Sequence, residues 1–236
     1  MNIKEDINLE FLEMTKIVIT GFGVFSGVED NPSKRIVEEL QESQFSCENG
    51  TDIEFRILDV SVECCSQLHK QFTDPTSNSD VLFIHIGVDS KSTVIKLEQC
   101  AYNNMSFRVP DVCGYQPQEC LITEEGKLDE PLFSELPLQR VCDELNATYS
   151  VNIEKTNTTD TTGGSIQLPL VTLSEDPGRY LCNYVYFQAM RHQKQLGKPM
   201  HAVFVHVPPF ESVTQATQVA VVRALVSSLC AHTVFV

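Results

Sequence analysis

The sequence predicts an α/β fold, a single three-layer α/β/α domain with a mostly parallel, twisted central sheet. Short runs of β-branched residues alternate along the chain with longer amphipathic stretches, which is the pattern of parallel strands joined by crossover helices. The chain has 236 residues, 42% of them hydrophobic and 21% charged, and this suits one globular domain. We therefore expect a sheet covered by helices on both faces.

The predicted strands are β-branched, apolar runs bounded by polar or turn-forming residues. They are Lys16–Thr20, Ile53–Val60, Val81–Ile86, Ser165–Leu173 and Ala202–Val207. The predicted helices lie between these runs and carry apolar residues at helical spacing. They are Ser33–Gln44, Val62–Phe72, Pro131–Leu145, Gly178–Leu196 and Ser212–Ala231. We expect residues 16–236 to form the domain and residues 1–15 to be an acidic N-terminal extension. The polar segments Cys113–Glu130 and Thr156–Gly164 are expected to be excursions from the core.

Charge excludes several classes of partner. The 17 Lys+Arg and 32 Asp+Glu residues give a formal net charge of −15, and the chain has no basic run. Nucleic acids and anionic membranes attract clustered Lys and Arg, so neither is an expected partner. The apolar stretch Val219–Val236 is interrupted by Arg223 and His232 and barely reaches the length of a bilayer span. We expect it to be a helix packed on the core.

The number and spacing of the cysteines indicate the redox state of the compartment in which the protein resides. The nine cysteines are scattered and odd in number, which does not suggest a disulfide framework. Such usage favours a reducing compartment, and the acidic first residues lack the apolar core of a signal peptide. We therefore expect a cytoplasmic protein. The sequence has no Cys-x-x-Cys and no His-Glu-x-x-His spacing, so neither a metal nor another cofactor is expected.

Ligands of open α/β sheets bind beyond the carboxyl ends of the strands. That rule points to the loops Gly21–Ser33, Gly87–Ser92, Leu173–Cys182 and His206–Phe210. The first loop is glycine-rich, but Glu29-Asp30-Asn31-Pro32 separates it from its helix, unlike a dinucleotide loop. Phe22 and Phe25 can form apolar walls for an uncharged, compact ligand, or simply cap the core. Asn31 or Ser33 can cap the helix that follows, and Asn31 can also brace the loop.

Cys182 is the candidate nucleophile. It follows the Pro177-Gly178 turn and lies near the start of the fourth predicted helix. A thiol there meets the positive end of the helix dipole and unpaired N–H donors, which favour the nucleophilic thiolate and can hold an oxyanion. The alternative is that Cys182 is a small buried apolar residue, as the other eight cysteines are expected to be.

His206 and Glu98 are the candidate base and orienting acid. His206 ends an apolar strand beside a break in the chain, where an imidazole can take the thiol proton and return it to a leaving amine. Glu98 is an acid in an otherwise strand-like run and can orient the imidazole. The alternatives are a structural histidine and a surface glutamate. His85 is one residue too early for the strand end, and we interpret it as a core residue.

These stretches together resemble pyroglutamyl-peptidase type I, the cytosolic cysteine peptidases that remove N-terminal pyroglutamate. The matching segments keep the family's order over about residues 16–210: Val18–Phe25, Asn31–Ser33, Leu97-Glu98 with Asn103, Arg108, Pro110-Asp111, Gly178–Asn183 and Phe204–Pro208. The resemblance implies a single α/β/α domain, no cofactor, cytoplasmic location and small peptides with N-terminal pyroglutamate as substrates. A monomer is favoured, because animal members are thought to act alone.

The resemblance also implies roles for individual residues. Glu98, Cys182 and His206 form its catalytic triad. Phe22 and Phe25 line the pyroglutamyl pocket, with Asn31 as a brace. Arg108 lies near the catalytic centre. Val88 stands at a pocket position where many bacterial members carry glutamine. Animal members have the same Gly-Val pair there as this chain.

The expected reaction is acyl transfer. The Cys182 thiolate attacks the pyroglutamyl carbonyl, His206 protonates the departing amine, and water then cleaves the thioester. Two alternatives stay open at this point. One is a cysteine acyl hydrolase of another cyclic amide on the same scaffold, which Val88 permits. The other is a catalytically silent protein that binds pyroglutamyl peptides.

Overall fold

The computed structural model describes residues 14–25, 27–47, 50–72, 80–154 and 165–232. In chain order the elements are β1 (Met14–Phe22), α1 (Pro32–Glu42), β2 (Asp52–Leu58), α2 (Val62–Lys70), β3 (Asp80–Val88), β4 (Ile95–Glu98), β5 (Cys100–Tyr102), β6 (Pro131–Phe133), α3 (Leu138–Thr148), β7 (Ser150–Glu154), β8 (Ser165–Pro169), β9 (Val171–Ser174), α4 (Leu181–Gln195), β10 (Ala202–Val207) and α5 (Gln215–His232). This alternation confirms the predicted α/β class.

Six strands form the central sheet in the order β2-β1-β3-β10-β4-β9. The first four are mutually parallel, while β4 runs antiparallel to β10. Two antiparallel ribbons, β5 with β6 and β7 with β8, lie outside this sheet. The sheet is therefore mostly parallel, as predicted, and the last strand of the sequence, β10, has a central place in it.

Two apolar cores lie on opposite faces of the sheet. Helices α1, α3 and α5 cover one face, together with Ile17 and Ile19 of β1. Helices α2 and α4 cover the other face, together with Val18. Successive side chains of a strand point to opposite faces, so one buried strand contributes to both cores. The result is the predicted three-layer arrangement.

Two of the helices begin at side-chain caps. Oδ1 of Asn31 accepts a hydrogen bond from the backbone N–H of Ser33 at 3.1 Å, and Pro32 occupies the first helical position of α1. Oγ of Ser61 accepts a hydrogen bond from the N–H of Cys64 at 3.1 Å at the start of α2. Of the two predicted caps, Asn31 and Ser33, Asn31 is the N-cap of the first helix.

The direction of β9 contradicts one expectation. Strand β9 pairs in parallel with β4 and therefore runs opposite to β10. Ser174, the last residue of β9, pairs with Glu98 of β4. Glu98 in turn pairs with Phe204, which lies within β10 and not beyond its end. The carboxyl end of β9 is thus not at the edge shared by β1, β3 and β10. Residues 175–180 lead the chain back to that edge, where α4 begins.

Two predicted elements have wrong bounds. Residues 131–145 were expected to be one helix, but Pro131–Phe133 form β6 and α3 begins only at Leu138. Helix α3 begins directly after Pro137. A proline inside the helix would have no backbone N–H to donate to the carbonyl of the preceding turn. Residues 165–173 were expected to be one strand, but Leu170 separates β8 from β9, which belong to different sheets.

Some expectations lie partly or wholly outside the described residues. The proposed N-terminal extension is one of them, apart from Met14 and Thr15, which belong to β1. The excursion Thr156–Gly164 is another. Within the described ranges, no helix has the length and apolar content to cross a membrane. The same ranges hold no group of His, Cys, Asp and Glu side chains that could bind a metal ion.

Candidate active site

The thiol of Cys182 lies at the start of α4. Tyr180 is the N-cap and Cys182 the second helical residue. The first N–H groups of a helix have no acceptor within it, and the helix dipole places partial positive charge there. The sulfur also lies close to β3, because a Cβ atom built on Gly87 would be 3.1 Å from Sγ of Cys182. A half-buried thiol therefore faces free backbone donors beside the central sheet.

His206 connects this thiol to a buried carboxylate. Nδ1 of His206 is 2.8 Å from Oε1 of Glu98, and the thiol of Cys182 lies close enough to the imidazole to raise its pKa. Because Glu98 occupies Nδ1, Nε2 is the ring nitrogen left for the sulfur. His206 is 7% exposed and Glu98 is fully buried. The three side chains form a continuous thiol, imidazole and carboxylate chain.

The surroundings of His206 favour its protonated form. Burial by itself lowers the pKa of His206, since a charged ring loses hydration. Hydrogen bonds and charge interactions with Cys182 and Glu98 outweigh that cost and raise the pKa to about 10. An imidazolium held in this way can donate a proton to a leaving group.

The antiparallel pairing of β4 with β10 positions Glu98. Glu98 lies opposite Phe204, two residues before His206 on the same face of β10. The backbone carbonyl of Glu98 accepts a hydrogen bond from Tyr186 Oη of α4 at 2.9 Å. Oε2 of Glu98 is buried without a protein hydrogen-bond partner. The carboxylate is therefore directed to His206 through Oε1 alone.

Asn183, next to the thiol, fastens the start of α4 to the segment that follows β4. Its side chain accepts a hydrogen bond from the N–H of Tyr102 at 2.7 Å. It also donates to the carbonyls of Tyr102 and Asn104 at 2.8 Å and 2.9 Å. Asn183 is fully buried, so these three bonds replace water completely. This contact fixes the position of the first turn of α4.

A small cavity adjoins the thiol. Its walls come from the ends of β1 and β3, from the segments that follow β1 and β2, and from the start of α4: Phe22, Phe25, Asn31, Val60, Gly87, Val88, Tyr180, Leu181 and Cys182. Nδ2 of Asn31 donates to the carbonyl of Gly23 at 3.1 Å, and Oγ of Ser33 accepts from the N–H of Phe22 at 3.0 Å. The Phe22–Phe25 loop is thus held against α1, and the cavity is predominantly apolar.

The structure brings together most of the residues that the sequence selected. Phe22, Phe25, Asn31, Val88 and Cys182 line the cavity, and His206 and Glu98 extend from the thiol. Arg108 is exposed and is not among the lining residues. His85 is fully buried, as expected of a core residue.

Sequence reasoning did not single out four lining residues, Val60, Gly87, Tyr180 and Leu181. Val60 directly follows β2 and could have been found by applying the strand-end rule to that strand as well. Tyr180 and Leu181 directly precede the candidate nucleophile. A wider, more open depression borders β6 and the start of α3, but its described lining, which includes Gln99, Ser134 and Asp143, has neither a thiol nor an imidazole.

A thiol at a helix start, linked to an imidazole and a carboxylate on an open α/β sheet, is the arrangement of a cysteine peptidase. Comparison with known proteins narrows this class. The sequence model of the family Peptidase C15, described as pyroglutamyl peptidase, matches residues 15–158 and 166–235. The chain belongs to the pyroglutamyl peptidase family.

Individual relatives agree with this assignment. The pyrrolidone-carboxylate peptidase of Thermococcus litoralis is 31% identical over 197 residues, which cover 83% of this chain and 77% of the relative. Pyroglutamyl-peptidase 1 of Rattus norvegicus is 26% identical over 214 residues, covering 90% and 88% of the two chains. The crystal structure of the Thermococcus litoralis pyrrolidone carboxyl peptidase superposes with a TM-score of 0.74 at 24% identity, covering 93% of this chain and 94% of that chain. This superposition supports the fold.

Proposed function

We propose that this peptidase hydrolyses the amide bond after an N-terminal pyroglutamyl residue, with Cys182 as nucleophile, His206 as acid and base, and Glu98 as orienting acid. The observation that carries the proposal is the His206–Glu98 hydrogen bond, in which the same imidazole interacts with the thiol of Cys182 at the start of α4. The family supports the substrate class, small peptides that begin with pyroglutamate.

The reaction has two half-steps. The Cys182 thiolate attacks the pyroglutamyl carbonyl, and N–H groups of the first turn of α4 stabilise the oxyanion. Imidazolium His206 then gives its proton to the departing amine, which leaves a thioester on Cys182. In the second half-step His206 takes a proton from water, the resulting hydroxyl attacks the thioester, and pyroglutamate leaves as the thiolate re-forms. Glu98 stabilises the imidazolium in each half-step.

The cavity accounts for selection of a lactam. Pyroglutamate has no charged α-amine, and Phe22, Phe25 and Val60 offer apolar walls. A site built to hydrogen-bond a substrate group strongly rejects an analogue that lacks the group. Peptides that begin with proline have the ring N–H but no lactam carbonyl, so we expect them to be poor substrates.

The direct test is turnover of a fluorogenic pyroglutamyl amide. We expect wild type to be active and Cys182→Ala and Cys182→Ser to lose at least about 10³-fold in kcat/KM. Cys64→Ala is the matched control, because Cys64 is also half-buried near the start of a helix, α2. We expect it to keep activity, and iodoacetamide to alkylate Cys182 faster than Cys64.

Other outcomes would identify the alternatives. Hydrolysis of other cyclic amides without turnover of pyroglutamyl amides would favour a different acyl hydrolase, for which Val88 in the cavity wall is the relevant residue. Binding of pyroglutamyl peptides without hydrolysis would favour a silent binding protein. Equal turnover by wild type and Cys182→Ala would overturn the proposed nucleophile.

The proposal extends to the setting of the enzyme. A thiol nucleophile must stay reduced, and all nine cysteines are free. Both points support a cytoplasmic enzyme that needs no cofactor. We also propose that the enzyme acts as a monomer. Light scattering of the purified protein tests this, and activity confined to a larger assembly would contradict it.

A further inference from the structure

Two thiols with no part in the proposed mechanism are in contact with each other. Sγ of Cys47 and Sγ of Cys230 are hydrogen-bonded at 3.0 Å, although 183 positions separate them in sequence. Both pack with the core under α1, α3 and α5, whereas Cys182 packs with the core of the opposite face. No other two thiols in the described ranges are hydrogen-bonded to each other.

Independent contacts hold the two backbone segments together. Cys230 follows Arg223 by seven residues in α5, so both side chains lie on one face of the helix. Arg223 donates a hydrogen bond to Oγ of Ser43 at 2.5 Å and lies over the ring of Phe45 at 5.4 Å. The segment after α1 is therefore fastened to α5 before it reaches Cys47, and the approach of the sulfurs does not depend on the thiols alone.

The two thiols differ in acidity. The hydrogen bond from Cys230 lowers the pKa of Cys47, while the same bond raises the pKa of Cys230. Either sulfur can donate in this pair, and Cys230 is the donor when Cys47 is ionised. Cys47 is 6% exposed, so a small reagent reaches it more easily than a large one.

We propose that Cys47 and Cys230 are a redox-active dithiol, which hydrogen peroxide converts into a disulfide between the segment after α1 and helix α5. The Cys47 thiolate attacks one peroxide oxygen, the O–O bond breaks, and Cys47 becomes a sulfenic acid as water is released. The Cys230 thiol then attacks the Cys47 sulfur, the S–O bond breaks, and a second water leaves. One peroxide thus removes two electrons and two protons from the pair.

The geometry makes this closure easy. The sulfurs need to approach only from 3.0 Å to the disulfide bond length of about 2.05 Å. The bond would close a very long loop of chain, and long loops are those for which a disulfide most constrains the unfolded state. Because the pair lies on the face opposite Cys182, we expect closure to raise thermal stability and leave the geometry of the active site unchanged.

The experiment treats full-length wild type with hydrogen peroxide, blocks remaining thiols with iodoacetamide and maps peptides without reductant. We expect a peptide cross-linked through Cys47 and Cys230, and dithiothreitol should remove it. We also expect Tm to rise by roughly 10 °C on oxidation. Cys47→Ser and Cys230→Ser are the matched controls and should show neither the cross-link nor the rise in Tm.

The proposal is independent of the proposed peptidase mechanism, since the cross-link is detected without substrate. Alkylated Cys47 and Cys230 after peroxide treatment would overturn it, as would a cross-link from either residue to a different cysteine. A cross-link that leaves Tm at the value of reduced wild type would overturn the stabilising role.

Discussion

Asn183 and Tyr102 exchange a closed pair of hydrogen bonds, in which Tyr102 N–H donates to Oδ1 of Asn183 and Nδ2 of Asn183 donates to the carbonyl of Tyr102. Asn183 directly follows the proposed nucleophile, and Tyr102 lies shortly after the proposed acid on the chain. The pair therefore sets the distance between two parts of the site that come from different regions of the sequence.

The first prediction concerns this pair. Asn183→Ala removes the three hydrogen bonds that hold Tyr102 and Asn104 to the start of α4, so the first turn of α4 should shift and kcat/KM should fall by about 10- to 100-fold. Asn183→Asp should not rescue activity, because a carboxylate cannot donate to two carbonyls. The measurement is kcat and KM of each variant together with Tm.

Asn146 offers a matched control. It makes a similar set of bonds at β9, donating to the carbonyl of Val171 at 2.7 Å and accepting from the N–H groups of Leu170 and Val171 at 3.0 Å. We expect Asn146→Ala to lower Tm with little change in kcat/KM. Equal losses of kcat/KM in the two alanine variants would show that Asn183 acts only through global stability.

The second prediction concerns the pH dependence of catalysis. With both partners present, His206 stays protonated up to about pH 10, because its pKa is raised to about 10. Glu98→Gln keeps a side chain of the same shape but removes the negative charge, so the pKa of His206 should fall. We therefore expect the basic limb of the kcat/KM profile to move to lower pH. A limb that stays in place would show that the carboxylate does not act on the imidazole.

The third prediction concerns the close approach of β3 to the thiol. A Cβ on Gly87 would lie 2.6 Å from Cζ of Phe204 and 3.1 Å from Sγ of Cys182. Gly87→Ala should therefore displace one of these side chains, with a loss of at least tenfold in kcat/KM and about 1–3 kcal/mol in the free energy of unfolding. Gly23→Ala is the control, since its nearest contact is 3.6 Å. Unchanged kinetics in Gly87→Ala would contradict the described geometry.

The fourth prediction concerns acid stability. The rings of His69 and His85 are 5.7 Å apart, and both nitrogens of His69 and Nε2 of His85 are buried without hydrogen-bond partners. Burial lowers the pKa of His85 to about 3 and, with repulsion from His85 and His192, holds that of His69 well below its usual value. Both rings are thus neutral in the folded chain under conditions where the unfolded chain protonates them.

The sign of the effect follows from proton binding. Below about pH 6.5 the unfolded state binds more protons, so the free energy of unfolding should fall by up to about 1.4 kcal/mol per pH unit for each histidine. His69→Leu should reduce this slope in urea unfolding between pH 7 and pH 5. Phe83→Leu, a change in the ring that packs against both histidines, should lower stability at every pH with the wild-type slope. Equal slopes in wild type and His69→Leu would exclude His69 as a source of acid sensitivity.

Much of the site was predictable because it depends on local signals. Cys182 follows a Pro-Gly turn, and His206 ends an apolar strand beside a proline, so each could be placed from its own neighbours. The relation of Glu98 to His206 depends instead on the antiparallel pairing of β4 with β10, which sequence periodicity does not report. The pattern of residues left Glu98 as either an orienting acid or a surface glutamate, and the resemblance to the family favours the first.

The errors have the same origin. The direction of β9 is set by its pairing with β4, and an apolar run looks alike in both directions. Pro131–Leu145 carries a helical pattern of apolar residues, yet its first residues pair with β5 and become β6. Tertiary pairing overrode local preference in both cases.

The place of β10 in the sheet has a consequence for biosynthesis. A nascent chain emerges from the ribosome with its N-terminus first, so β3 and β4 are made before the strand that lies between them. A product that stops before Ala202 lacks both that strand and the imidazole of His206. Translation must therefore pass β10 before the proposed nucleophile can meet its proposed base, and we expect products that stop before Ala202 to be inert.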